Sequence, residues 1–287
     1  MNKSAATPAW LMVSLIPLSI FISLIWALEQ YNLPWSFQIP WVDSLGIGLA
    51  FHIDALSAQM LALITGIGTL IFIYAVGYLD HEPRRGRIFF LLPIFMMAMI
   101  GAVTADDVIT LFLFWELTSI TSFLLVGFNH SDERTRDSAR QALLVTMGGG
   151  LAMLGGLLLL SQMAGSWLIS EIILNAPSFI DDPRLPWAIA LILTGAFTKS
   201  AQFPFHFWLP NAMSAPTPVS AYLHSATMVK LGVYLMARFD PAFNDLLFWE
   251  ILLITAGTIT AIWAAVLTLR ERDLKRILAY STLSALG

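Results

Sequence analysis

The chain of 287 residues is 57% hydrophobic and only 12% charged, and it carries a formal net charge of −4. An ordinary soluble protein carries about 25% charged residues, so the composition excludes that class. The chain has no cysteine, which excludes disulfide bonds and also the zinc and iron–sulfur sites that depend on thiolate ligands. Apolar runs of about 20 residues can cross a bilayer as helices. The composition therefore predicts an all-α, polytopic transmembrane helix bundle.

Nine apolar segments follow one another along the chain, and we expect each of them to enter the membrane. They cover residues 8–28, 55–79, 88–104, 107–128, 139–163, 186–209, 216–238, 246–270 and 274–287. Because proline lacks a backbone donor, we expect an interrupted helix near Lys199 to Pro204 in the sixth segment. The ninth segment is shorter than the roughly 20 residues of a full span. We therefore expect residues 1–287 to form a single transmembrane domain that is truncated at its C-terminus.

The connections between these segments differ in composition and charge. Residues 29–54 contain tryptophan and proline but no basic residue, and residues 164–185 are predicted to hold a short interfacial helix. All but four of the 15 lysines and arginines lie at the N-terminus, in loops 80–87 and 129–140, or from Arg270 onward. Such residues are enriched on the cytoplasmic side of membranes. We therefore predict a multi-pass protein of the inner (plasma) membrane with a cytoplasmic N-terminus.

The interrupted segment places Lys199 at membrane depth, directly before the expected break. A cation at that depth is costly without a partner, and non-helical backbone is tolerated there only beside protein or a water-filled cavity. Glu116, near the middle of the fourth segment, is the candidate partner. Its alternative role is structural, as a carboxylate that bonds to Ser119 one turn on or to a neighbouring helix. Because ionisable residues inside membranes are typical of ion pathways, we predict a functional role for Glu116 and Lys199.

Three further residues extend this candidate path for protons. His224 and Lys230 lie six residues apart in the seventh segment, which on a regular helix is about 9 Å along the axis and about 120° around it. They cannot form one compact site, but they can be successive stations, since histidine titrates near neutrality and a desolvated lysine releases its proton. His206 follows Pro204 and is a weaker candidate that would line the break. The alternative for a lone histidine is a neutral imidazole that bonds a carbonyl group.

Signatures of soluble enzymes are absent from the sequence. The glycines at 148–150 and 155–156 lie inside an apolar segment, where small residues let helices approach closely, and do not follow a strand as a nucleotide loop would. No histidines and carboxylates have the spacing of metal ligands. We expect no cofactor, no resident metal and no nucleic-acid partner. The driving energy is expected to come from an ion gradient or an attached partner.

Three motifs make the sequence similar to a known family. They are Trp115-Glu116-Leu117-Thr118-Ser119, Lys199-Ser200-Ala201-Gln202-Phe203-Pro204, and Pro216-Thr217-Pro218-Val219-Ser220-Ala221 with His224 after it; the stretch from Asp273 to Thr282 continues the match. In this order they resemble the antiporter-like subunits shared by Mrp-type Na⁺/H⁺ antiporters and respiratory complex I. The stretch around Glu116 and the presence of Lys230 are most similar to the N-terminal part of the A subunit of Mrp antiporters.

The resemblance implies a function and roles for single residues. It implies a subunit of a multisubunit monovalent cation (Na⁺)/proton antiporter, which is a secondary transporter and not an enzyme, together with other small membrane subunits. Glu116 would pair with Lys199, and His224 and Lys230 would be central stations of the proton path. Two alternatives stay open. One is a proton-pumping membrane subunit of an NADH–quinone oxidoreductase (complex I) or hydrogenase-type complex, and the other is a structural scaffold with a vestigial path.

Overall fold

The computed structural model describes residues 7–42 and 47–287, in which twelve α-helices and one β-hairpin form. The helices are α1 (Thr7–Gln30), α2 (Ala55–Tyr78), α3 (Arg85–Thr104), α4 (Val108–Val126), α5 (Glu133–Ala164), α6 (Ile169–Leu174), α7 (Leu185–Lys199), α8 (Trp208–Ala212), α9 (Thr217–Ser220), α10 (Met228–Phe243), α11 (Leu247–Arg270) and α12 (Leu274–Leu286). The antiparallel hairpin joins β1 (Trp35–Val42) to β2 (Ile47–Ile53). The predicted helical bundle and the short helix within residues 164–185 are confirmed.

Among the described residues, six helices are long and apolar enough to cross a membrane, namely α1, α2, α3, α4, α5 and α11. The predicted count of nine is not confirmed, because the other three segments are divided or short. The sixth segment is split between the 15 residues of α7 and the five of α8, as its predicted interruption requires. A π-helical turn over Ala221–Thr227 separates α9 from α10, and α12 has 13 residues.

The hairpin was not predicted, although β1 contains the signal for it. Its residues alternate between large apolar and polar side chains over Trp35–Gln38, which is typical of a half-buried strand. The rings of Phe37 and Phe51 stack across the two strands at 5.0 Å. β2 is attached to the connection between α3 and α4, because Asp106 N donates a hydrogen bond to Ala50 O at 2.9 Å. The hairpin therefore covers the junction between α3 and α4.

The polar loops gather on two opposite faces of the bundle. On one face, Arg84 Nη1 lies 3.5 Å from His130 Nδ1, which joins loop 80–87 to loop 129–140. Arg134 near the start of α5 and Lys275 near the start of α12 line one cavity, which places the start of α12 on the same side; Lys275 Nζ also donates to Ala215 O at 3.0 Å. We call this the basic face, and we call the opposite one, with the hairpin and α6, the hairpin face. The three basic loops share one face, as the charge pattern predicts; Lys3 lies outside the described residues.

The hairpin face is held together by an ion pair between α2 and α10. Asp54 caps α2 by accepting from Ser57 N at 2.9 Å. Arg238 donates to both carboxylate oxygens of Asp54 and, at 2.8 Å each, to Ser57 Oγ and Tyr234 Oη. Tyr234 in turn donates to Val103 O at 2.7 Å. Burial acts to raise the pKa of Asp54, but the bonds from Arg238 and Ser57 outweigh it and lower that pKa to about 2.

We expect acid to weaken this ion pair. An unfolded aspartate has a pKa of about 3.9, and the folded pKa of Asp54 lies below it. The pair therefore contributes stability that is fully present above about pH 4 and is lost as the pH falls towards about 2. The unfolding temperature of the detergent-solubilised protein should fall more steeply over this range than that of Asp54→Asn, which keeps the cap but cannot titrate. Parallel pH curves for the two proteins would contradict this assignment.

Candidate functional site

The chain leaves its helix directly after Lys199, at the predicted break. Residues 200–204 are not helical, and a 3-10 turn over Phe205–Phe207 leads into α8. Ala201 has a φ of 53°, a left-handed conformation that costs a residue with a side chain about 1–2 kcal/mol. Its complete burial shows that packing imposes this conformation. The freed backbone is satisfied by protein, since Phe203 N donates to Thr260 Oγ1 of α11 at 2.8 Å.

Lys199 is completely buried at this break. Its ammonium donates to Ser119 Oγ at 2.8 Å and to Trp115 O at 3.0 Å, both on α4. The same nitrogen lies 5.1 Å from the centre of the Trp115 ring, within the range of a cation–π contact. No carboxylate in the described ranges lies within 4.0 Å of this nitrogen. Neutral groups of α4 therefore solvate the cation.

Glu116 makes no direct ion pair with Lys199 in the described residues, although the two side chains are close enough for their charges to interact. Neighbouring residues of a helix point about 100° apart, so Glu116 leaves the Trp115 face of α4 and approaches α5. A Cβ added at Gly150 of α5 would overlap Glu116 Oε1. Both carboxylate oxygens are buried without a hydrogen-bond partner among the described residues. The alternative bond to Ser119 is not formed either, because Ser119 faces Lys199.

Glycines of α5 create the space for this arrangement. A Cβ added at Gly149 would overlap Thr198 Oγ1, next to Lys199, whereas a Cβ at Gly148 would meet no atom within 4 Å. The close approach predicted for the glycine run is therefore confirmed at Gly149 and Gly150. These two adjacent glycines therefore allow both α7 and the Glu116 side chain to contact α5 closely at the same level of the helix.

His224 lies against Trp208 of α8, which follows the break. It is 2% exposed, and neither ring nitrogen has a partner among the described residues. Its ring meets the Trp208 ring edge-on at 5.9 Å, and Trp208 Nε1 donates to Thr198 O at 2.9 Å. The carbonyl alternative for His224 is thus not realised. The Trp208 indole therefore contacts both His224 and Thr198, the residue that precedes Lys199.

The regular helix assumed between His224 and Lys230 is wrong, because His224 belongs to the π-helical turn. Thr227 Oγ1 donates to Tyr222 O at 2.7 Å, a bond across five residues that is compatible with the wider turn. Lys230 follows in the first turn of α10 and is half-buried. π-helical turns are often found at functional sites. The separation of about 120° expected between the two side chains therefore does not apply.

His206 lies in the 3-10 turn after the break and faces α11. Its Nε2 accepts a hydrogen bond from Trp263 Nε1 at 3.1 Å, and its ring stacks on Phe203 at 5.7 Å. Its Nδ1 is buried without a partner among the residues that the structure describes. Because Nε2 accepts, the neutral ring carries its proton on Nδ1. His206 thus lines the break, but it bonds to α11, whereas Lys199 bonds to α4.

Sequence reasoning missed the neutral groups that surround Lys199. Trp115 and Ser119, which contact Lys199, are buried on one side of α4 together with Thr118 and Ser122. Their spacing of three and four residues places them on one face of a helix. A buried polar stripe inside an apolar span was therefore the available signal for the partners of the lysine.

Two family profiles match the chain. The profile described as "NADH:quinone oxidoreductase/Mrp antiporter, TM" covers residues 105–287, and "NADH-Ubiquinone oxidoreductase (complex I), chain 5 N-terminus" covers residues 35–90. The chain is 46% identical over 278 residues to the A subunit of the Na(+)/H(+) antiporter of Alkalihalophilus pseudofirmus, which covers 96% of this chain and 34% of that protein. It is 46% identical over 247 residues to the A1 subunit of the Na(+)/H(+) antiporter of Staphylococcus haemolyticus, with 86% and 31% covered.

Solved structures give the same picture. A chain in the structure of the Mrp complex from Dietzia sp. DQ12-45-1b is similar with a TM-score of 0.88 and 36% identity over 98% of this chain and 31% of that one. The archaeal membrane-bound sulfane sulfur reductase shares the fold, with a TM-score of 0.81 and 24% identity over 100% and 58% of the two chains. The chain spans about one third of the length of the curated relatives it matches. Because the first profile covers more than half of it, this membrane-spanning chain belongs to the NADH:quinone oxidoreductase/Mrp antiporter transmembrane family.

Proposed function

We propose that this chain is part of a subunit of a multisubunit Na⁺/H⁺ antiporter and provides a section of its proton path. The observation that carries the proposal is the burial of Lys199 at a helix break, where only neutral groups hold its ammonium. A cation at membrane depth is costly and is typical of an ion pathway. The likeness to proteins named as A and A1 subunits of Na(+)/H(+) antiporters supports the choice of transporter class.

In this proposal Lys199 holds the transferred proton, and Glu116 controls it. The Glu116 carboxylate has no hydrogen-bond partner among the described residues, so no hydrogen bond has to break when its side chain rotates. Rotation of the Glu116 side chain towards Lys199 stabilises the ammonium through charge, and rotation towards α5 weakens that stabilisation. The released proton then passes to His224, whose ring nitrogens are both available. Lys230 is the next station, and His206 is a further station on the α11 side of the break.

The basic face, with the N-terminus, is the cytoplasmic side of the inner membrane in this proposal. The gathering of three basic loops on that face supports this orientation, since lysine and arginine are enriched in cytoplasmic loops. Protons and Na⁺ are the substrates, and other small membrane subunits are the partners. The chain acts within a secondary transporter and carries out no chemical reaction of its own.

A second candidate is a proton-pumping membrane subunit of a respiratory complex. The match of residues 35–90 to a profile named for complex I chain 5 favours it, as does the fold shared with an archaeal respiratory membrane complex. In that case electron transfer in other subunits would drive proton transfer along the same buried charged residues.

The two candidates differ in what drives the proton. The full-length protein, with the subunits that co-purify, is reconstituted into vesicles with a pH-sensitive dye. Antiport predicts proton flux on addition of Na⁺ and the loss of most of it in Glu116→Gln, whereas Glu133→Gln on the basic face keeps it. Flux that requires NADH or another reductant, and not Na⁺, would favour the respiratory candidate. Equal Na⁺-driven flux in Glu116→Gln and the unmodified protein would overturn the role of Glu116.

A further inference from the structure

A small cavity lies on the basic face where α3 begins, α4 ends and α5 begins. Its volume is about 170 Å³, and Arg87, Arg136 and Arg140 line it together with His130. Phe123 and Leu124 of α4 contribute apolar side chains to its lining. Among the residues that the structure describes, no acidic side chain lines this cavity. We call it the arginine cavity.

The arginines of this cavity keep most of their donors free. Arg136 uses one nitrogen to donate to His130 O at 2.8 Å. Arg140 lies 3.6 Å from Asp137, but both side chains are about two-thirds exposed, and such surface pairs are weak. A guanidinium has five N–H donors, arranged to bind a phosphate through two parallel bonds. The cavity therefore combines an excess of positive charge with unused donors.

The excess of positive charge is confined to the arginine cavity and does not extend over the whole basic face. A larger cavity of about 960 Å³ lies on the same face, between the start of α5, α8 and the start of α12. Its lining balances three acidic against three basic side chains, namely Glu133, Asp137 and Asp273 against Arg134, Lys275 and Arg276. A general enrichment in basic loops would not distinguish the two cavities. The arginine cavity is thus the one that favours an anion.

Exposed apolar side chains continue from the arginine cavity into the membrane. Phe90 lies three residues after Arg87 in α3 and is 68% exposed, and Leu144 lies four residues after Arg140 in α5 and is 73% exposed. Ile120, one turn before Leu124 in α4, is 43% exposed. Residues three or four apart occupy the same side of a helix. An apolar surface therefore lies directly below the cationic cavity.

We propose that the arginine cavity binds the headgroup of an anionic phospholipid from the leaflet at the basic face. The phosphate meets the three guanidinium groups, and the acyl chains lie over Phe90, Ile120 and Leu144. Basic pockets between membrane helices are suited to anionic headgroups, and the apolar surface beneath selects a lipid over a free phosphate. One bound lipid would contact α3, α4 and α5 at once and hold them together at the end of α4 opposite the hairpin.

The test is native mass spectrometry of the delipidated full-length protein with its co-purifying subunits, titrated with phosphatidylglycerol or phosphatidylcholine. We expect preferential binding of phosphatidylglycerol and about a fivefold weaker affinity for each arginine removed, so that Arg87→Gln with Arg140→Gln binds about 25-fold more weakly. The matched control is Arg134→Gln with Lys275→Gln, which removes the same charge from the balanced cavity and should leave the affinity unchanged. Equal binding of the two lipids, or equal losses in both double variants, would overturn the proposal.

Two further measurements distinguish a lipid ligand from a free phosphate ligand, and a loss of binding from a loss of folding. Leu144→Gln should weaken phosphatidylglycerol binding, and glycerol 3-phosphate should not compete at equal concentration. Competition by glycerol 3-phosphate would instead identify a free phosphate ligand and overturn the lipid assignment. If the double arginine variant unfolds, the single variant Arg87→Gln, which changes an exposed residue, is used for the test. We expect its affinity for phosphatidylglycerol to fall about fivefold. An unchanged affinity would contradict the proposal.

Discussion

Lys199→Met should abolish Na⁺-driven proton flux while leaving the protein folded. Methionine keeps the length and apolar stem of the side chain but cannot carry a proton. Positioned proton donors contribute about a hundredfold or more to a transfer step, so we expect flux to fall by at least that factor. Burying a charge away from water costs free energy that its hydrogen bonds recover only in part, and methionine avoids this cost. The variant should therefore unfold at the same temperature as the unmodified protein or higher.

The combination of the two results is what identifies a functional cation. A lysine kept for structure alone would lose stability when its bonds to Ser119 and Trp115 are removed, and flux would fall only with unfolding. Lys275→Met is the control, because Lys275 also bonds a carbonyl, Ala215 O, but lies at the basic face. Flux is measured in vesicles and unfolding in detergent on the same preparations. Normal flux in Lys199→Met would remove the central station of the proposed path.

Gly232→Ala should destabilise the protein by about 3 kcal/mol, at the upper end of the usual cost of overpacking. A Cβ at Gly232 would overlap Ala196 O and lie 2.9 Å from Ser200 Cβ and 3.0 Å from Ser200 N. These atoms belong largely to the backbone of α7 and of the break, so they cannot move aside as a flexible side chain would. The extra methyl group must push α10 away from α7 at the position of Lys199.

Gly148→Ala is the matched control for this substitution, because it lies in a helix but its new Cβ would meet no atom within 4 Å. Alanine favours helix over glycine by up to about 1 kcal/mol, so this variant should be neutral or slightly more stable. Free energies of unfolding from denaturant titration in detergent would compare the two. Equal changes in the free energy of unfolding of both variants would show that close packing of α7 on α10 does not matter for stability.

Local features made much of the fold predictable. The second apolar segment, predicted at 55–79, forms α2 over Ala55–Tyr78, since apolar length and the cap at Asp54 determine a helix locally. The break after Lys199 was predictable because Pro204 follows it closely. The hairpin and the π-helical turn were missed for different reasons. The strand signal in β1 is short, and the π-helical turn depends on how α9 and α10 pack rather than on a residue pattern.

The sequence by itself determined the class of protein, the family and the presence of a lysine at a broken membrane helix. These follow from apolar length, proline position and motifs, which need no knowledge of neighbouring helices. Only the tertiary structure decided what surrounds that lysine. Trp115 and Glu116 are adjacent in the chain but point about 100° apart on α4, so helix packing selects which of them meets α7. It selected Trp115 with Ser119 for Lys199, and it turned Glu116 towards Gly150 of α5.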